Sequence, residues 1–384
     1  MTTSVSTNTG VKQKLRSYLV LSDIHLGART TTAEEIIEHL TAFFDDFTEK
    51  SPYARVDALF IAGDLWDDTL TFSSDVFLIF LPWFRRLLSF CSRHGVKLRI
   101  MEGTPRHDRK QAATLAKIVE MTDIALDFKY IADLSIEKMT DLDLTILYVP
   151  DECRHTAAAV EEDVERTMDE AGVREVDIAI MHGMFEYQLG TVPMNAKVHN
   201  EAWYLARVKN YISIGHVHTM SQCGRILAEG SFDRLAHGEE GPKGAMLIQE
   251  TSSGEWMHLF VENPLAKTYL TIPVSGSIES ALDKIEKKVR KLRDGSYVRI
   301  QALATHAIFQ GFETLRQKYP RFTFSKKATV KEEVRQEVQT ISYSPIVLNR
   351  ETLTDAICEE VANQGNLETE DYHKLRSLLE GLHD

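Results

Sequence analysis

Short apolar runs recur along the first part of the chain, and longer segments with helical spacing separate them. The runs are rich in β-branched residues, as is typical of strands buried on both faces. Alternating strands and helices predict a layered α/β architecture. Pro82 falls inside the second predicted helix and is expected to kink or divide it. The predicted strands are 18–21, 58–62, 98–101, 178–180 and 211–214, and the predicted helices are 32–50, 74–94, 110–121 and 157–171.

The pattern changes after Gly230. Two apolar runs, 244–248 and 256–260, predict late strands of the first domain. A new strand–helix–strand–helix–strand pattern then runs from 268 to 325 and predicts a small α+β domain joined near Pro264. The predicted organisation is a flexible N-terminus (1–16), a main domain (17–263), a small domain (264–326), and a linker with two short C-terminal helices (327–384).

Composition narrows the class of protein only slightly. The 384 residues carry a net charge of −13, which argues against a uniformly basic nucleic-acid binder but allows local basic patches. The four cysteines are far apart and predict reduced thiols in a cytoplasmic protein. No apolar stretch has the length of a spanning helix, and the polar start does not resemble a signal peptide. We therefore expect a cytoplasmic protein without a membrane partner.

Histidines and aspartates follow nearly every predicted strand of the main domain. Ligands in α/β folds gather at the carboxyl ends of strands, so these side chains are expected to share one site. Carboxylate and imidazole ligands suit a pair of Mn²⁺-, Fe- or Zn-like ions, and two such ions can polarise a phosphate and ionise water beside it. The candidate residues are Asp23, His25, Asp64, His107, Asp108, His182, His216 and His218.

Each motif alone has a simpler explanation. An Asp-x-His pair such as Asp23 and His25 is common, and Asp64 could be an ordinary helix N-cap. A lone histidine at a strand end, such as His182, is often only hydrogen-bonded. These explanations do not account for so many ligand-type residues in matching positions, which favours a shared metal site.

In order and spacing, these residues resemble the calcineurin-like metallophosphoesterase family. Within it, Ser22-Asp23-Ile24-His25-Leu26-Gly27, and Gly215-His216-Val217-His218-Thr219 followed by Gly230-Ser231-Phe232, are similar to motifs of SbcD/Mre-type DNA-repair nuclease subunits and their tailed-phage counterparts. The resemblance implies a four-layer αββα metallophosphoesterase sandwich with a small α+β capping domain and a C-terminal helical tail. It also implies two divalent metal ions, for which we expect Mn²⁺, with Mg²⁺ as the alternative.

The resemblance further implies the role of each candidate. Asp23, His25, Asp64 and His218 would hold one ion, and Asp64, as a bridge, with His182 and His216 would hold the other. His107 would contact the phosphate or protonate the leaving oxygen, and Asp108 would orient His107.

One departure from the family pattern affects the second ion. The family's third motif is Gly-Asn-His-Asp, whereas this chain has Gly103-Thr104-Pro105-Arg106-His107-Asp108, two residues longer and without asparagine. Arg106 cannot bind a cation and could contact substrate phosphate or simply face solvent. Thr104 could supply a hydroxyl in place of the asparagine, or a water could fill that position.

The function that the resemblance implies is a metal-dependent DNA exo/endonuclease that processes DNA ends in recombination, repair or replication. It implies a homodimer that binds DNA and an SbcC/Rad-type coiled-coil ATPase subunit. Leu353, Ile357 and Val361 lie on one helical face that would dock this ATPase or would pack within the chain. The alternatives are a phosphoesterase that acts on nucleotides or phosphoproteins, and a non-catalytic phosphoesterase-like scaffold.

Overall fold

The computed structural model describes residues 15–71, 74–151, 154, 156–189 and 197–330. Most of the predicted linker and the C-terminal helices, with Leu353, Ile357 and Val361, lie outside the described residues, as do residues 1–14. Arg16, at the end of the predicted leading segment, donates from Nε to the Glu250 carboxylate at 2.8 Å.

The described part of the chain is a mixed α/β structure. In chain order its strands are β1 (Ser17–Leu21), β2 (Ala58–Ala62), β3 (Lys97–Met101), β4 (Phe128–Ile131), β5 (Ser135–Met139), β6 (Leu144–Val149), β7 (Ile178–Gly183), β8 (Ile212–His216), β9 (Ser221–Cys223), β10 (Ile226–Ala228), β11 (Gly244–Glu250), β12 (Trp256–Glu262), β13 (Tyr269–Pro273), β14 (Tyr297–Leu303) and β15 (Thr323–Thr329). The α-helices are α1 (Ala33–Phe43), α2 (Asp75–His94), α3 (Ala113–Glu120), α4 (Ala157–Glu170), α5 (Glu201–Leu205), α6 (Ile278–Val289) and α7 (Phe312–Lys318). The predicted α/β class is confirmed.

Two six-stranded sheets carry the main domain. The first has the order β12-β11-β1-β2-β3-β4, in which β1 to β4 are parallel and β11 and β12 are antiparallel to their neighbours. The second has the order β5-β6-β7-β8-β10-β9, in which β6, β7, β8 and β10 are parallel. The parallel strands explain why so many motifs end at one edge of each sheet.

Three apolar clusters hold these elements together. One packs α1 and α2 against a face of the first sheet and includes Leu40, Phe80 and Phe84. A second packs α4 against a face of the second sheet through Val164. The third cluster mixes side chains of both sheets, among them Phe60 of β2. Both faces of each sheet are therefore buried, as the apolar strands predict.

Two predicted helices are shorter in the structure. Helix α1 starts at a capping box on Thr32 but ends at Phe43, because Asp45, Asp46 and Phe47 adopt left-handed backbone conformations that a helix cannot contain. Helix α3 begins only at Ala113, since the two residues before Gln111 are also left-handed.

Pro82 is predicted to kink or divide the second helix; the helix is not divided, and a kink stays a prediction. Helix α2 runs without interruption from Asp75 to His94. Pro82 lies on its exposed side, four residues after Leu78, which is 54% exposed, so water can satisfy the carbonyl that loses its partner. Burial of the opposite face, with Trp83 and Phe84, stabilises the helix across this position.

A third sheet, β13-β14-β15, follows the main domain with its own apolar cluster. Strands β13 and β14 are parallel and α6 lies between them in sequence, as the strand–helix–strand pattern predicts. Ser277 caps α6, and Ile285 and Val289 of that helix are buried. All five elements predicted between 268 and 325 are present, although only part of the second helix is α-helical.

Among the residues that the structure describes, no helix combines the length and apolar character needed to cross a bilayer. Cys91 and Cys223 are free thiols, as predicted, whereas Cys153 and Cys358 lie outside the described residues.

Candidate metal centre

The carboxyl ends of strands from both sheets meet at one place and carry the candidate ligands. Asp23 and His25 follow β1, and Asp64 follows β2. His182 lies within β7, and His216 ends β8. The sheets are joined at this point, because the main-chain N–H of His216 donates to Asp23 Oδ2 at 2.9 Å. The predicted convergence of these residues is confirmed.

Four of the candidate ligands have left-handed backbone conformations. The φ angles are +50° at Asp23, +50° at His25, +49° at Asp64 and +98° at His216. Residues with side chains rarely adopt this region, and such strain persists only where the surroundings impose it. The main chain is therefore bent at the strand ends so that these side chains turn toward one another.

Close packing of main chain is a second requirement of the site. A Cβ atom at Gly63, whose φ is +89°, would lie 2.3 Å from His182 Nδ1. A Cβ atom at Gly103 would lie 2.1 Å from the main-chain nitrogen of Asp64. Only glycine fits at these two positions, which bring the turns after β2 and β3 into contact.

Asp23, His25 and His218 form the first ligand group. One ligand-type atom of each lies within 4.8 Å of the others. The Nε2 atoms of His25 and His218 are 3.1 Å apart, and Asp23 Oδ1 lies 3.9 and 3.8 Å from them. Two imidazole nitrogens and a carboxylate oxygen that face one another at these distances fit a divalent cation.

Asp64, His182 and His216 form the second ligand group, within the same 4.8 Å limit. His182 Nε2 lies 3.4 Å from Asp64 Oδ1. The other ring nitrogen of His182 donates to the carbonyl oxygen of Ala62 at 2.7 Å, so Nε2 is the nitrogen that faces the group and takes either a proton or a cation. These buried His/Asp groups could hold a metal ion.

Thr104 lies in the middle of the second group. Its main-chain N–H donates to Asp64 Oδ1 at 2.6 Å, and its Oγ1 lies 3.1 Å from Asp64 Oδ2. The same hydroxyl is 3.4 Å from His182 Nε2 and 3.2 Å from His216 Nδ1. The residue that stands at the gap in the third motif thus reaches all three ligand-type side chains, and a role for its hydroxyl in binding a cation stays a prediction.

Neighbouring charges shift the pKa values of Asp64 and His182 in the second group. Burial alone would raise the pKa of the Asp64 carboxyl, but the rings of His182 and His25 outweigh it and hold that pKa well below its usual range. Burial lowers the pKa of His182, whereas the Asp64 carboxylate raises it by more, so the net shift is upward. Because a ligating imidazole must be unprotonated, a cation competes with a proton for His182.

Asp108 has a different role from the one predicted. Its carboxylate accepts the main-chain N–H groups of Asp64 at 3.0 Å, Trp66 at 3.1 Å and Gly103 at 2.7 Å. Its carboxylate therefore fixes the turns after β2 and β3. The prediction that Asp108 orients the ring of His107 is wrong in this structure, because Nδ1 of that ring contacts the main-chain oxygen of Asp67 instead.

His107 is oriented instead by the main chain of Asp67. Its Nδ1 lies 2.5 Å from the Asp67 carbonyl oxygen, which can only accept, so Nδ1 carries the hydrogen. The ring packs edge-on against His25 with 4.9 Å between ring centroids. His107 also comes within 4.8 Å of both His25 and Asp64 through ligand-type atoms, close enough to serve as a further ligand.

Two carboxylates that sequence reasoning gave no role hold histidines of the first group. Asp67 Oδ1 lies 3.2 Å from His25 Nδ1, and Glu239 Oε1 lies 3.1 Å from His218 Nδ1. His25 holds the pKa of the Asp67 carboxyl below its usual value. Asp67 closes the motif that begins at Gly63, and this position is a sequence signal for a residue of the site. Glu239 stands in the loop before β11 beside a second glutamate, and nothing in the sequence distinguishes the two.

Three arginines stand close in sequence to His25 and His107. Arg29, Arg106 and Arg109 are exposed, and Arg109 lies 3.8 Å from Asp68. The main-chain carbonyl of Arg106 accepts from Arg109 Nε. The predicted phosphate contact of Arg106 stays a prediction.

Comparisons with known proteins leave the family open. No protein-family model matches the chain, and no curated protein matches it. Among solved structures, the chain is similar to GAP50, the anchor in the inner membrane complex of Plasmodium, with 12% sequence identity and a TM-score of 0.38 over 66% of this chain and 86% of that chain. A likeness of this degree does not indicate a function, and the proposal below is based on the geometry of the site.

Proposed function

We propose that this protein is a metal-dependent phosphodiesterase that hydrolyses DNA, as the nuclease subunit of an SbcCD/Mre–Rad-like complex. The observation that carries the proposal is the pair of adjacent ligand groups, Asp23/His25/His218 and Asp64/His182/His216, built at the strand ends of two sheets. Imidazole and carboxylate donors in such a pair are typical of two-metal phosphoesterase sites.

The proposed fold is the four-layer αββα sandwich. Three apolar clusters support it, because the one that mixes both sheets is flanked by clusters that pack α1 and α2 on one sheet and α4 on the other. The layers would be helix, sheet, sheet and helix, with the ligand groups at one edge of the two inner layers.

Asp23, His25, Asp64 and His218 would hold one ion, and Asp64, His182 and His216 would hold the other, with the Thr104 hydroxyl as an added donor. Mn²⁺ is the proposed metal and Mg²⁺ the alternative, since four imidazoles favour a transition metal over a cation that prefers oxygen donors alone. When bound, such ions polarise a phosphate and lower the pKa of water.

His107 would act beside the ions on the leaving group. Since its Nδ1 donates to the Asp67 carbonyl, only Nε2 is free, and in the protonated ring the hydrogen on Nε2 would be donated to a phosphate oxygen or passed to the departing oxygen. Asp64 would align both ions, because Thr104 N–H and the Asp108-fixed turn hold its carboxylate and main chain.

DNA as the substrate has two supports besides the sequence resemblance. Exposed Arg29, Arg106 and Arg109 lie on turns around the ligand groups and suit a phosphate backbone. The third sheet, β13-β14-β15, adds a domain that a minimal phosphatase does not require. The homodimer and the coiled-coil ATPase partner are proposed from the resemblance alone.

Hydrolysis assays with the full chain test the proposal. With Mn²⁺, the chain is expected to degrade linear duplex DNA, and Asp64→Ala is the matched inactive control. Cyclic nucleotide and phosphoprotein serve as comparison substrates. Turnover of these substrates without DNA cleavage would favour the phosphoesterase alternative, whereas ion binding with no hydrolysis at all would favour a non-catalytic scaffold.

A further inference from the structure

The loop between β10 and β11 reaches back to the first ligand group through Glu239. The Oε1 atom of Glu239 lies 3.1 Å from His218 Nδ1. Because a carboxylate can only accept, this contact places the hydrogen of His218 on Nδ1 and leaves the Nε2 lone pair facing Asp23 and His25. The ring nitrogen that would bind a cation is thus selected from outside the ligand group.

Lys243 in turn fixes Glu239. Its ammonium group lies 3.1 Å from Glu239 Oε2, and it also donates to the main-chain oxygen of His218 at 2.6 Å and to Ser231 Oγ at 2.7 Å. The Lys243 side chain is only 1% exposed, and its ammonium group does not need water because each of its three N–H donors has an acceptor in the protein. The same lysine therefore holds both the main chain of His218 and the carboxylate that orients its ring.

Glu239 has a further main-chain contact that limits its freedom. The N–H of Leu235 donates to Oε2 at 3.1 Å. The next residue, Glu240, is exposed, so two successive glutamates have opposite environments. The carboxylate beside the site is anchored by a main-chain donor, by a buried ammonium and by the imidazole that it orients.

We propose that Glu239 is a positioning residue for the metal centre, which holds His218 with Nε2 toward the first cation, and that Lys243 keeps Glu239 in place. This inference rests on the proposed function, because it takes the first ligand group as a cation site. Partners that hold the second nitrogen of a ligating histidine fix its tautomer and raise its basicity, and their loss typically weakens metal binding by about 10–100-fold.

The experiment compares Glu239→Ala, Glu239→Gln and Glu240→Gln with the unaltered full chain. Mn²⁺ titration by calorimetry is expected to show one of the two binding steps weakened by about 10–100-fold in Glu239→Ala. Glu239→Gln keeps an acceptor oxygen and should restore part of this loss, and Glu240→Gln should bind like the unaltered chain. Far-ultraviolet circular dichroism establishes that each variant is folded.

A second measurement does not require metal. Long-range ¹H–¹⁵N correlation spectra of the metal-free chain at a pH where the ring is neutral should show His218 with its hydrogen on Nδ1, and Glu239→Ala should lose this preference. A hydrogen on Nε2 of His218 in the unaltered chain would overturn the inference, as would a folded Glu239→Ala variant with both Mn²⁺ steps unchanged. Failure of the unaltered chain to bind Mn²⁺ would instead overturn the proposed function, and the tautomer would still report on Glu239.

Discussion

The two ligand groups are built from the same residue types but are supported differently. In the first group, His25 and His218 are held by the carboxylates of Asp67 and Glu239, which stand on loops. In the second, His182 is held by a main-chain carbonyl of the neighbouring sheet. The His218 side chain is 28% exposed, whereas that of His182 is fully buried.

The difference indicates that His182 of the second group is fixed by packing between strands, whereas His25 and His218 of the first group are fixed by side chains on loops. Loops tolerate substitution better than the interior of a sheet, so we expect changes at Asp67 and Glu239 to leave the fold intact. In the second group, Thr104 supplies a loop hydroxyl that lies 3.1 Å from Asp64 Oδ2 and can be changed without altering a candidate ligand.

Asp64→Ala should have the largest effect because Asp64 serves the second group directly and lies 3.8 Å from His25 of the first. We expect both Mn²⁺ ions to be lost and turnover to fall by more than the roughly 10²–10⁴-fold that a general acid contributes. Metal analysis of the purified variant and DNA hydrolysis measure these effects. Retention of one ion at full affinity would show that the groups are independent.

His107→Ala is expected to reduce turnover by about 10²–10⁴-fold and to leave both ions bound. The reason is that Nδ1 is engaged by the main chain, so the free nitrogen of His107 is available to the leaving group. Metal content and DNA hydrolysis are measured on the same preparation. If an ion is lost with His107, then the contact with Asp64 and His25 is a ligand contact and the catalytic assignment is wrong.

Thr104→Val tests the second group alone, since it removes the hydroxyl while keeping the shape of the side chain. We expect about tenfold weaker binding of one Mn²⁺ ion, at the lower end of the range for a lost supporting contact. Thr104→Ser keeps the hydroxyl and should bind as the unaltered chain does. Equal Mn²⁺ affinities in Thr104→Val and Thr104→Ser would exclude a role for the hydroxyl.

Most of the main-domain strands and helices can be predicted from the sequence, because apolar runs and helical spacing are local patterns that do not depend on distant contacts. Strand β5 could not be predicted, since it carries polar residues whose partners are seen only in the folded structure. Glu137 of this strand is buried and accepts from Arg99 of the first sheet at 2.9 Å. A pairing between residues so distant in the sequence leaves no periodic signal in it.

The candidate ligands could be predicted for a similar reason, whereas the residues that support them could not. An aspartate or histidine directly after a predicted strand can be recognised from its position in the sequence. The supporting contacts of Asp108, Asp67 and Glu239 cross turns and can be recognised only in the structure. The insertion at Thr104 showed where a ligand was missing but not that the hydroxyl would reach the group. Contacts between a candidate ligand and the residue that holds it depend on the tertiary structure and leave no pattern in the sequence.

Of the four variants, a change at Glu229 should have the smallest effect on metal binding, and it tests both groups at once, because the charges of Asp23 of the first group and His182 of the second act on Glu229. It is fully buried, and burial raises the pKa of its carboxyl to about 8. Between its unfolded value near 4.3 and about 8, only the folded chain keeps the proton, so stability should fall as pH rises, by at most about 1.4 kcal/mol per pH unit.

Glu229→Gln should remove this slope while leaving both Mn²⁺ affinities within about twofold, since an amide cannot ionise and no contact to a ligand is lost. Thermal unfolding of the metal-free chain from pH 5.5 to 8.5 measures how the stability changes with pH. Glu240→Gln, at an exposed position, is the control and should show the same pH dependence as the unaltered chain. A variant whose stability falls with pH as steeply as the unaltered chain would place the titration elsewhere. A selective change in one Mn²⁺ affinity would show that Glu229 supports that ligand group and not the other.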